Sequence, residues 1–433
     1  MKLSVKGCGY LGAVHAAAMA SLGHEVVGID PDVQKIAALS AGETPFFEPG
    51  LGDLLRESLA SGLLSFSTDT EAAKDATVHF IAVGTPQRSD GLGADLAFVD
   101  SAIADLMPIL KPGDLVVGKS TVPVGTAARL ADVVRERGAT LAWNPEFLRE
   151  GFAVQDTIAP DRIVYGLDPE SRDRDRAILD EVYSAALATG TPRLTTDFAT
   201  AELVKVAANA FLATKISFIN AMAEISEIVG ANVVELADAI GHDDRIGRKF
   251  LGAGLGFGGG CLPKDIRAFV ARADELGTGG SLDFLRNVDE INLRRRQRAV
   301  QLTIEAVGGS AAGKRVAILG LAFKPNSDDI RDSPAIDVAR SLAAVGADVV
   351  AYDPEANANA RRRFDDLAYA ESVESAVTGA EAVVLATEWQ EFKSLDPVAI
   401  GELVSAKNFI DGRNVLEPEA WRAAGWNFRS MGR

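Results

Sequence analysis

The sequence predicts an α/β protein with two doubly wound α/β domains joined by a central helical connector. Three observations support this prediction. A strand, a glycine-rich loop, a helix and a second strand fill the first thirty residues, an apolar stretch with almost no turn residues covers Phe198–Val229, and strands and helices alternate again from Lys314. Alternation of this kind is typical of mostly parallel sheets with helices on both faces. We therefore divide the chain into residues 1–196, 197–310 and 311–433.

The first domain begins with an expected strand at residues 3–5, a helix at 13–22 and a second strand at 25–30. Gly7, Gly9 and Gly12 follow the first strand with the spacing Gly-x-Gly-x-x-Gly, which permits a tight turn and places a pyrophosphate at the helix N-terminus. Asp30 ends the second strand, where a carboxylate accepts hydrogen bonds from an adenosine ribose and repels a 2′-phosphate. This pattern predicts a Rossmann-like domain that binds NAD rather than NADP. The alternative is a glycine turn that serves packing only.

Four more strands are expected in this domain, at residues 78–83, 115–118, 140–143 and 162–165. Two polar loops follow the second and third of these strands, at residues 120–126 and 143–150. Loops at the carboxyl ends of parallel strands lie on the ligand side of a sheet. Turn or helix-capping chemistry is the alternative for both loops.

Charge and cysteine content exclude several classes of function. Lys and Arg number 44 against 61 Asp and Glu, so the net charge of −17 disfavours nucleic acid or an anionic membrane as a partner. Cys8 and Cys261 are the only cysteines, which favours a reducing, cytoplasmic setting without disulfides, and the four histidines show no metal-ligand spacing. The first twenty residues could be a signal peptide, but the glycine motif explains them better. We found no uninterrupted apolar run of the 18–20 residues that span a bilayer, and we expect a soluble protein without a bound metal.

The central segment contains one long expected helix, Phe198–Val229, in which Lys205 and Asn209 lie one turn apart on the same face. Lys205 either extends its ammonium group to solvent or is held at a site, and the nearby amide favours a site. More helix is expected through Arg298 and beyond, with residues 294–296 on a solvated face or at a helix C-terminus. An anion site is the alternative for this basic run. The last domain is expected to have strands at 315–320, 348–353, 382–387 and 408–411, and a helix at 335–344.

Cys261 is the candidate nucleophile. It follows the glycine-rich residues 256–260 and precedes Lys264 and Asp265. Cations and backbone N–H dipoles favour a thiolate, and glycines leave the sulfur accessible. A buried small hydrophobic residue is the alternative for a lone cysteine, and we apply that interpretation to Cys8.

Taken together, these stretches resemble the UDP-glucose/GDP-mannose dehydrogenase family almost from end to end. The resemblance rests on GCGYLG, VVGID, FFEPGL, VGTP, STVPVGT, NPEFLREG, ELVKVAANAFLATKISFINAMAEI, DDRIGRKFL, GFGGGCLPKD and FKPNSDDIRDSP, in family order. Gly260 and Leu262 depart from the serine and phenylalanine that are common at these positions, and Lys6 replaces an apolar residue.

The resemblance implies a four-electron oxidation of a nucleotide sugar at C6, in which two NAD⁺ are consumed. The Cys261 thiolate would add to the intermediate aldehyde, and the resulting thiohemiacetal would be oxidised to a thioester that water hydrolyses. Lys205 and Asn209 would stabilise oxyanions, Asp265 would activate or orient water, and Glu146 and Thr121 would take part in acid/base steps.

The resemblance also implies two sets of ligand contacts. The positions that match cofactor contacts are Gly7, Gly9, Tyr10, Leu11, Gly12, Asp30, Lys35, Thr85, Thr121, Glu150, Lys264 and Arg331. The positions that match substrate contacts are Glu146, Phe147, Leu148, Lys205, Asn209, Phe250, Leu251, Gly252, Ala253, Gly254, Gly258 and Lys324. Arg245 matches an arginine that family dimers offer to the neighbouring subunit, and the long helix would form the core of a homodimer.

UDP-glucose is the favoured substrate, which makes UDP-glucuronate for polysaccharide biosynthesis the expected product. GDP-mannose or a UDP-N-acetylhexosamine would use the same mechanism. A one-step hydroxyacid or 6-phosphogluconate-like dehydrogenase would leave Cys261 and the last domain without a role, and a non-catalytic NAD-binding redox sensor would not need Lys205, Asn209 and Asp265. The number of NADH released per sugar separates these classes: two, one or none.

Overall fold

The computed structural model describes residues 1–433, and the chain divides into two compact units. The first unit comprises residues 1–208 and 271–277, and the second comprises 209–270 and 278–433. The division into three domains that we draw from the sequence stays a prediction.

The first unit contains an eight-stranded sheet. Its strands are β1 Lys2–Lys6, β2 Glu25–Ile29, β3 Leu64–Ser67, β4 Val78–Ile81, β5 Leu115–Gly118, β6 Thr140–Trp143, β7 Ile163–Leu167 and β8 Arg193–Thr196. They lie in the order β3-β2-β1-β4-β5-β6-β7-β8, and every neighbouring pair is parallel except β6 and β7. The strand order reverses between β1 and β4, so the carboxyl ends of these two strands form the crevice where doubly wound sheets bind ligands.

Helices cover both faces of this sheet. Leu115 and Val117 of β5 belong to one hydrophobic cluster and Val116 between them to another, because successive side chains of a strand point to opposite faces. The helices that precede residue 198 are α1 Tyr10–Ser21, α2 Val33–Ser40, α3 Leu51–Ala60, α4 Ala97–Leu106, α5 Thr126–Arg135, α6 Ala153–Ile158, α7 Arg172–Val182 and α8 Ser184–Ala188, with a 3₁₀ turn at Thr70–Ala73.

The second unit contains a six-stranded, fully parallel sheet. Its strands are β9 Arg315–Leu319, β10 Asp348–Tyr352, β11 Ala368–Tyr369, β12 Ala382–Leu385, β13 Asn408–Asp411 and β14 Asn427–Ser430, in the order β11-β10-β9-β12-β13-β14. The remaining helices are α9 Phe198–Val229, α10 Val233–Gly241, α11 Leu262–Glu275, α12 Asp283–Ala306, α13 Pro334–Ala344, α14 Asn357–Arg363, α15 Val373–Val377, α16 Gln390–Lys393, α17 Pro397–Leu403 and α18 Pro418–Ala423, with a 3₁₀ turn at Gly279–Leu282. Helices α9 and α11 each continue across the division between the units.

The fold class and the strands expected from the sequence are confirmed, with small differences in their bounds. Helix α1 begins at Tyr10 rather than at residue 13, because Gly9 is its N-cap and the glycine motif itself supplies the first turn. We missed four strands, β3, β8, β11 and β14. These strands are short, and β8 has two exposed residues and no apolar run.

The expectation of a solvated arginine face on α12 is wrong for two of its three residues. Arg295 and Arg296 are buried, whereas Arg294 is exposed. Arg295 pairs with Glu227 at 3.0 Å, and Arg296 pairs with Asp332 at 2.8 Å. Charged side chains are buried where oppositely charged side chains of other elements pair with them. Such partners are distant in the sequence, so the local pattern does not show them.

One helix, α9, is long and apolar enough to cross a membrane by length and composition alone, although we had found no such segment in the sequence. Its most apolar window has a mean hydropathy of 1.3, and 44% of that window is buried inside the structure. Because the core helix of a soluble protein passes the same test, this is weak evidence for a membrane span.

Candidate active site

The glycine loop between β1 and α1 has the geometry of a dinucleotide cradle. Gly7 has φ +93°, which favours glycine, and a Cβ on Gly12 would lie 1.7 Å from the Gly7 carbonyl oxygen. No side chain caps the N-terminus of α1. Backbone N–H groups at an uncapped helix N-terminus bind phosphate groups. This loop therefore fits the pyrophosphate of NAD.

Asp30 lies directly after β2 and is buried. Its Oδ2 accepts hydrogen bonds from the Cys8 backbone N–H and the Lys35 ammonium group, both at 2.9 Å, and its Oδ1 accepts from the Asp32 N–H at 3.1 Å. Each carboxylate oxygen has more than one acceptor position, so a ribose hydroxyl can still donate to Asp30. Cys8 is buried, as expected, and burial raises the pKa of its thiol to about 12.

The loops after β4 and β5 contact one another through two predicted cofactor residues. The Thr85 hydroxyl donates to the Thr121 carbonyl oxygen at 2.8 Å. Glu202, which sequence reasoning missed, accepts from the Gly125 and Ala127 N–H groups at 2.8 and 2.7 Å and so caps α5. The N-terminus of α5 is therefore capped by a side chain of α9 and not by one of this loop.

The loop after β6 brings several predicted substrate residues together in the first unit. Glu146 is half-buried; its Oε1 lies 2.8 Å from Lys205 Nζ, and its other oxygen accepts from the Leu148 N–H at 2.8 Å. Lys205 is buried, and its ammonium group lies 5.8 Å from the centroid of the Phe147 ring. Leu11 lines the same cavity as Glu146, Phe147 and Leu148. This favours the interpretation of Lys205 as a site residue, because its ammonium group does not extend to solvent.

Glu48 is a second residue that sequence reasoning missed. It lies in the FFEPGL stretch, is buried, and accepts from the Tyr10 hydroxyl and from the Gly151 and Ala153 N–H groups, the last two at 2.6 and 2.7 Å. Burial and this hydrogen bond raise the pKa of Tyr10 above its ordinary value. Glu48 thus connects the glycine loop to the segment directly after Glu150, which is partly exposed.

Cys261 in the second unit is exposed and immediately precedes α11. Its carbonyl oxygen accepts from the Asp265 N–H at 2.9 Å, the first bond of that helix. The positive end of a helix dipole at this position favours a thiolate. The structure thus places the sulfur where a nucleophile can act and outside the hydrophobic core.

Asp265 lies one helical turn after Cys261 in the sequence and is buried. It contacts two other predicted residues. Its Oδ1 lies 2.6 Å from Lys264 Nζ, and its Oδ2 accepts from the Asn209 side-chain amide at 2.7 Å. A buried carboxylate held between an ammonium group and an amide donor has a fixed orientation. This arrangement suits a group that orients water or a substrate hydroxyl.

The glycine run before Cys261 packs closely against the segment that contains Arg331. A Cβ on Gly258 would lie 2.3 Å from the Asp332 carbonyl oxygen, and one on Gly260 would lie 2.3 Å from the Arg331 guanidinium carbon. Gly260 therefore leaves room for Arg331, which pairs with Asp329 at 2.7 Å. A serine at this position would require the flexible arginine side chain to move.

The remaining predicted substrate residues lie elsewhere in the second unit. In the 250–254 loop, Phe250 has φ +66° and is exposed, and the Gly254 N–H donates to Asn220 at 2.9 Å. Leu251 and Ala253 are buried, and Gly252 is exposed. The Lys324 ammonium group lies 5.4 Å from the Phe323 ring centroid. Arg245 is 88% exposed and pairs with Asp243.

No group of three or more His, Cys, Asp or Glu side chains is placed to hold a metal ion. A dinucleotide cradle and an accessible thiol at a helix N-terminus define an NAD-dependent oxidoreductase.

Comparison with known proteins assigns the chain to a family. Three parts of the chain match the UDP-glucose/GDP-mannose dehydrogenase family: its NAD binding domain at residues 1–187, its central domain at 199–294 and its UDP binding domain at 317–418. A UDP-glucose 6-dehydrogenase from Rhizobium meliloti is 43% identical over 438 residues, with 100% of both chains covered. The chain belongs to the UDP-glucose/GDP-mannose dehydrogenase family, which confirms the resemblance seen in its sequence.

Two solved structures are similar over the whole chain. A UDP-glucose dehydrogenase from the hyperthermophilic archaeon Pyrobaculum islandicum has a TM-score of 0.91 and 40% identity, covering 100% of this chain and 97% of that one. A UDP-D-ManNAc dehydrogenase from Pyrococcus horikoshii has a TM-score of 0.87 and 29% identity, covering 100% and 99%.

Proposed function

We propose that the protein is an NAD-dependent UDP-glucose 6-dehydrogenase that oxidises the C6 alcohol of UDP-glucose to the carboxylate of UDP-glucuronate. The observation that carries this proposal is the exposed Cys261 thiol at the start of α11, next to the buried Asp265. A thiol so placed captures an aldehyde covalently, which a one-step dehydrogenase does not require. The match to a UDP binding domain at residues 317–418 gives the C-terminal α/β part a role that the one-step interpretation lacks.

NAD⁺, when bound, accepts a hydride from the sugar carbon in each of two oxidations. Gly7, Gly9 and Gly12 would hold its pyrophosphate and Asp30 its ribose. The other cofactor contacts that we propose are Tyr10, Leu11, Lys35, Thr85, Thr121, Glu150, Lys264 and Arg331. The protein's own groups perform the steps between and after the oxidations.

In the proposed reaction, Glu146 takes part in removing the hydroxyl proton, aided by Thr121. The Cys261 thiolate then adds to the aldehyde carbon, and the new oxyanion is stabilised by Lys205 and Asn209 until it is protonated. Oxidation of this thiohemiacetal leaves a thioester. Water oriented by Asp265 attacks the thioester carbon, the C–S bond breaks, and the carboxylate and free thiol are released.

The test is the number of NADH released per sugar, measured with purified protein, excess NAD⁺ and limiting UDP-glucose, with GDP-mannose and UDP-N-acetylmannosamine in parallel. Two NADH per UDP-glucose are expected. Two NADH with another sugar only would replace the substrate and keep the mechanism, whereas one or none would contradict the mechanism. The higher identity to the UDP-glucose enzyme than to the UDP-D-ManNAc enzyme favours UDP-glucose.

We also propose that the protein is a cytoplasmic homodimer that supplies UDP-glucuronate for polysaccharide biosynthesis. Cys8 and Cys261 are not joined in a disulfide, which suits a reducing compartment. On α9, Phe211, Phe218 and Ile225 are 67%, 49% and 53% exposed, and their seven-residue spacing puts them on one face. Ile228 and Val229 extend this exposed apolar face, which a second copy of the chain would cover. Arg245 would then reach the neighbouring subunit's site.

Sedimentation velocity tests the dimer. Phe218→Asp is expected to shift the protein from dimer to monomer, because it places a charge in the apolar face. The control is Val398→Asp, which changes an equally apolar, 58% exposed residue on α17 and is expected to leave the dimer intact. A monomeric wild-type protein, or one that binds phospholipid vesicles through α9, would contradict the proposal.

A further inference from the structure

Lys119, directly after β5, is another buried lysine of the first unit. Lys119 is 6% exposed, and its ammonium group donates to Asn144 Oδ1 at 2.9 Å and to the Tyr183 hydroxyl at 3.2 Å. It also lies 5.9 and 5.7 Å from the ring centroids of Phe80 and Tyr183. All of its hydrogen-bond partners are uncharged. A buried charge held only by neutral groups costs stability, and groups that carry such a cost cluster at functional sites.

Lys119 is connected to Glu146 through Asn144, which lies two residues earlier in the chain. Asn144 precedes Pro145 and Glu146, and its side-chain amide also donates to the Val164 carbonyl oxygen of β7 at 2.9 Å. The Tyr183 hydroxyl donates to the same Asn144 Oδ1 at 2.6 Å. Asn144 is therefore fixed from three sides, and its proline neighbour restricts the chain that leads to the Glu146 carboxylate.

Lys119 also acts on Glu146 through space. Both residues line one cavity of about 60 Å³. Burial lowers the pKa of Lys119 from 10.5 to about 8; Glu146 opposes this effect by attraction, and Lys205 adds to it by repulsion. Within a poorly solvated cavity such charges interact more strongly than in water.

The other groups that face Lys119 are neutral or lie on the cavity wall. His15 on α1 is buried, neither ring nitrogen has a hydrogen-bond partner, and burial lowers its pKa well below 6.5. Burial raises the pKa of Tyr183 above its ordinary value, so the phenol also stays neutral. The charged groups of this neighbourhood are Glu146, Lys205, Asp156, Asp161 and Arg162.

We propose that Lys119 is a positioning residue for the oxidation: its buried ammonium group, through Asn144 and through its charge, holds the Glu146 carboxylate in place beside Lys205. The inference rests on the proposed function, in which Glu146 takes part in proton transfer. A lysine is charged below its pKa and neutral above it. Activity is therefore expected to fall as the pH rises through about 8, because Lys119 then loses its proton.

The test is the pH profile of kcat and of the two KM values between about pH 6 and pH 10. Lys119→Met is expected to lower kcat about tenfold at neutral pH, to remove the alkaline decline and to leave the KM for NAD⁺ within about twofold. Tyr183→Phe keeps the lysine but removes one acceptor from its ammonium group. The alkaline decline is therefore expected to move to lower pH.

Lys6→Met is the matched control. Lys6 is also 6% exposed, but it pairs with Asp105 at 2.9 Å and donates to Thr70, so its replacement is expected to leave the position of the alkaline decline unchanged. An alkaline decline that keeps its position in both Lys119→Met and Tyr183→Phe would overturn the proposal. If Lys119→Met does not fold, the shift in Tyr183→Phe decides alone.

The outcomes separate this inference from the proposed function. A wild-type protein that releases two NADH per UDP-glucose, with profiles insensitive to these variants, would refute only the role of Lys119. If the wild-type protein turned over no nucleotide sugar, the proposed function would fail, and the inference would fail with it as a statement about catalysis. The charge state of Lys119 is still measurable then, because it makes the stability of the fold depend on pH.

Discussion

Replacing Lys119 by methionine should change how the stability of the protein depends on pH. The ordinary lysine pKa of 10.5 falls to about 8 for this buried side chain. A difference of about 2.5 pKa units corresponds to about 3 kcal/mol of free energy, which is the cost of keeping the proton on the buried amine.

The direction follows from proton binding in the two states. Below pH 8 the lysine is protonated both in the folded and in the unfolded chain, so this residue does not make the stability depend on pH. The full destabilisation by the buried charge is present there. Between about pH 8 and pH 10.5 the unfolded chain holds the proton and the folded chain does not, so the free energy of unfolding rises with pH. The wild-type protein should therefore gain about 3 kcal/mol relative to Lys119→Met across this window.

Urea unfolding of both proteins at a series of pH values, followed by circular dichroism, measures this difference. The difference between variants is used because the large negative charge of the chain changes the stability of both proteins in parallel at alkaline pH. Parallel curves for wild type and Lys119→Met would refute the reasoning, because they would mean that Lys119 titrates alike in both states.

Three further predictions concern the site itself. Cys261→Ala is expected to abolish acid formation and Cys261→Ser to slow or trap the ester intermediate, as measured by uronate yield and mass spectrometry; undiminished uronate from the alanine variant would overturn the mechanism. Asp30→Ala is expected to raise the KM for NAD⁺ about tenfold and to weaken the preference over NADP⁺, since Lys35 loses its carboxylate partner, and an unchanged cofactor preference would count against the assignment. Glu48→Gln is expected to lower the unfolding free energy by about 1–3 kcal/mol and to raise the KM for NAD⁺, because an amide accepts more weakly than a carboxylate from the Gly151 N–H; unchanged thermal unfolding would contradict this role.

Local features of the sequence were sufficient to predict much of the fold. The glycine spacing at Gly7 to Gly12 and the turn-free stretch Phe198–Val229 predict their structures because the backbone conformations and hydrogen bonds involved join residues a few positions apart. The exposure of Cys261 was predictable for the same reason, since glycines beside a thiol leave it uncovered whatever the rest of the chain does.

The burial of charge was decided only by the tertiary structure. Arg295 lies within an exposed-looking basic run, yet it is buried because Glu227, 68 residues away, meets it. Lys119 is buried against Tyr183, which is 64 residues away, and Glu48 accepts from the Gly151 N–H across 103 residues. Whether a charged side chain can leave water depends on partners that packing brings to it. Most of the helices and strands and the candidate nucleophile were therefore predictable from local sequence, whereas only the folded chain shows which charges surround the chemistry.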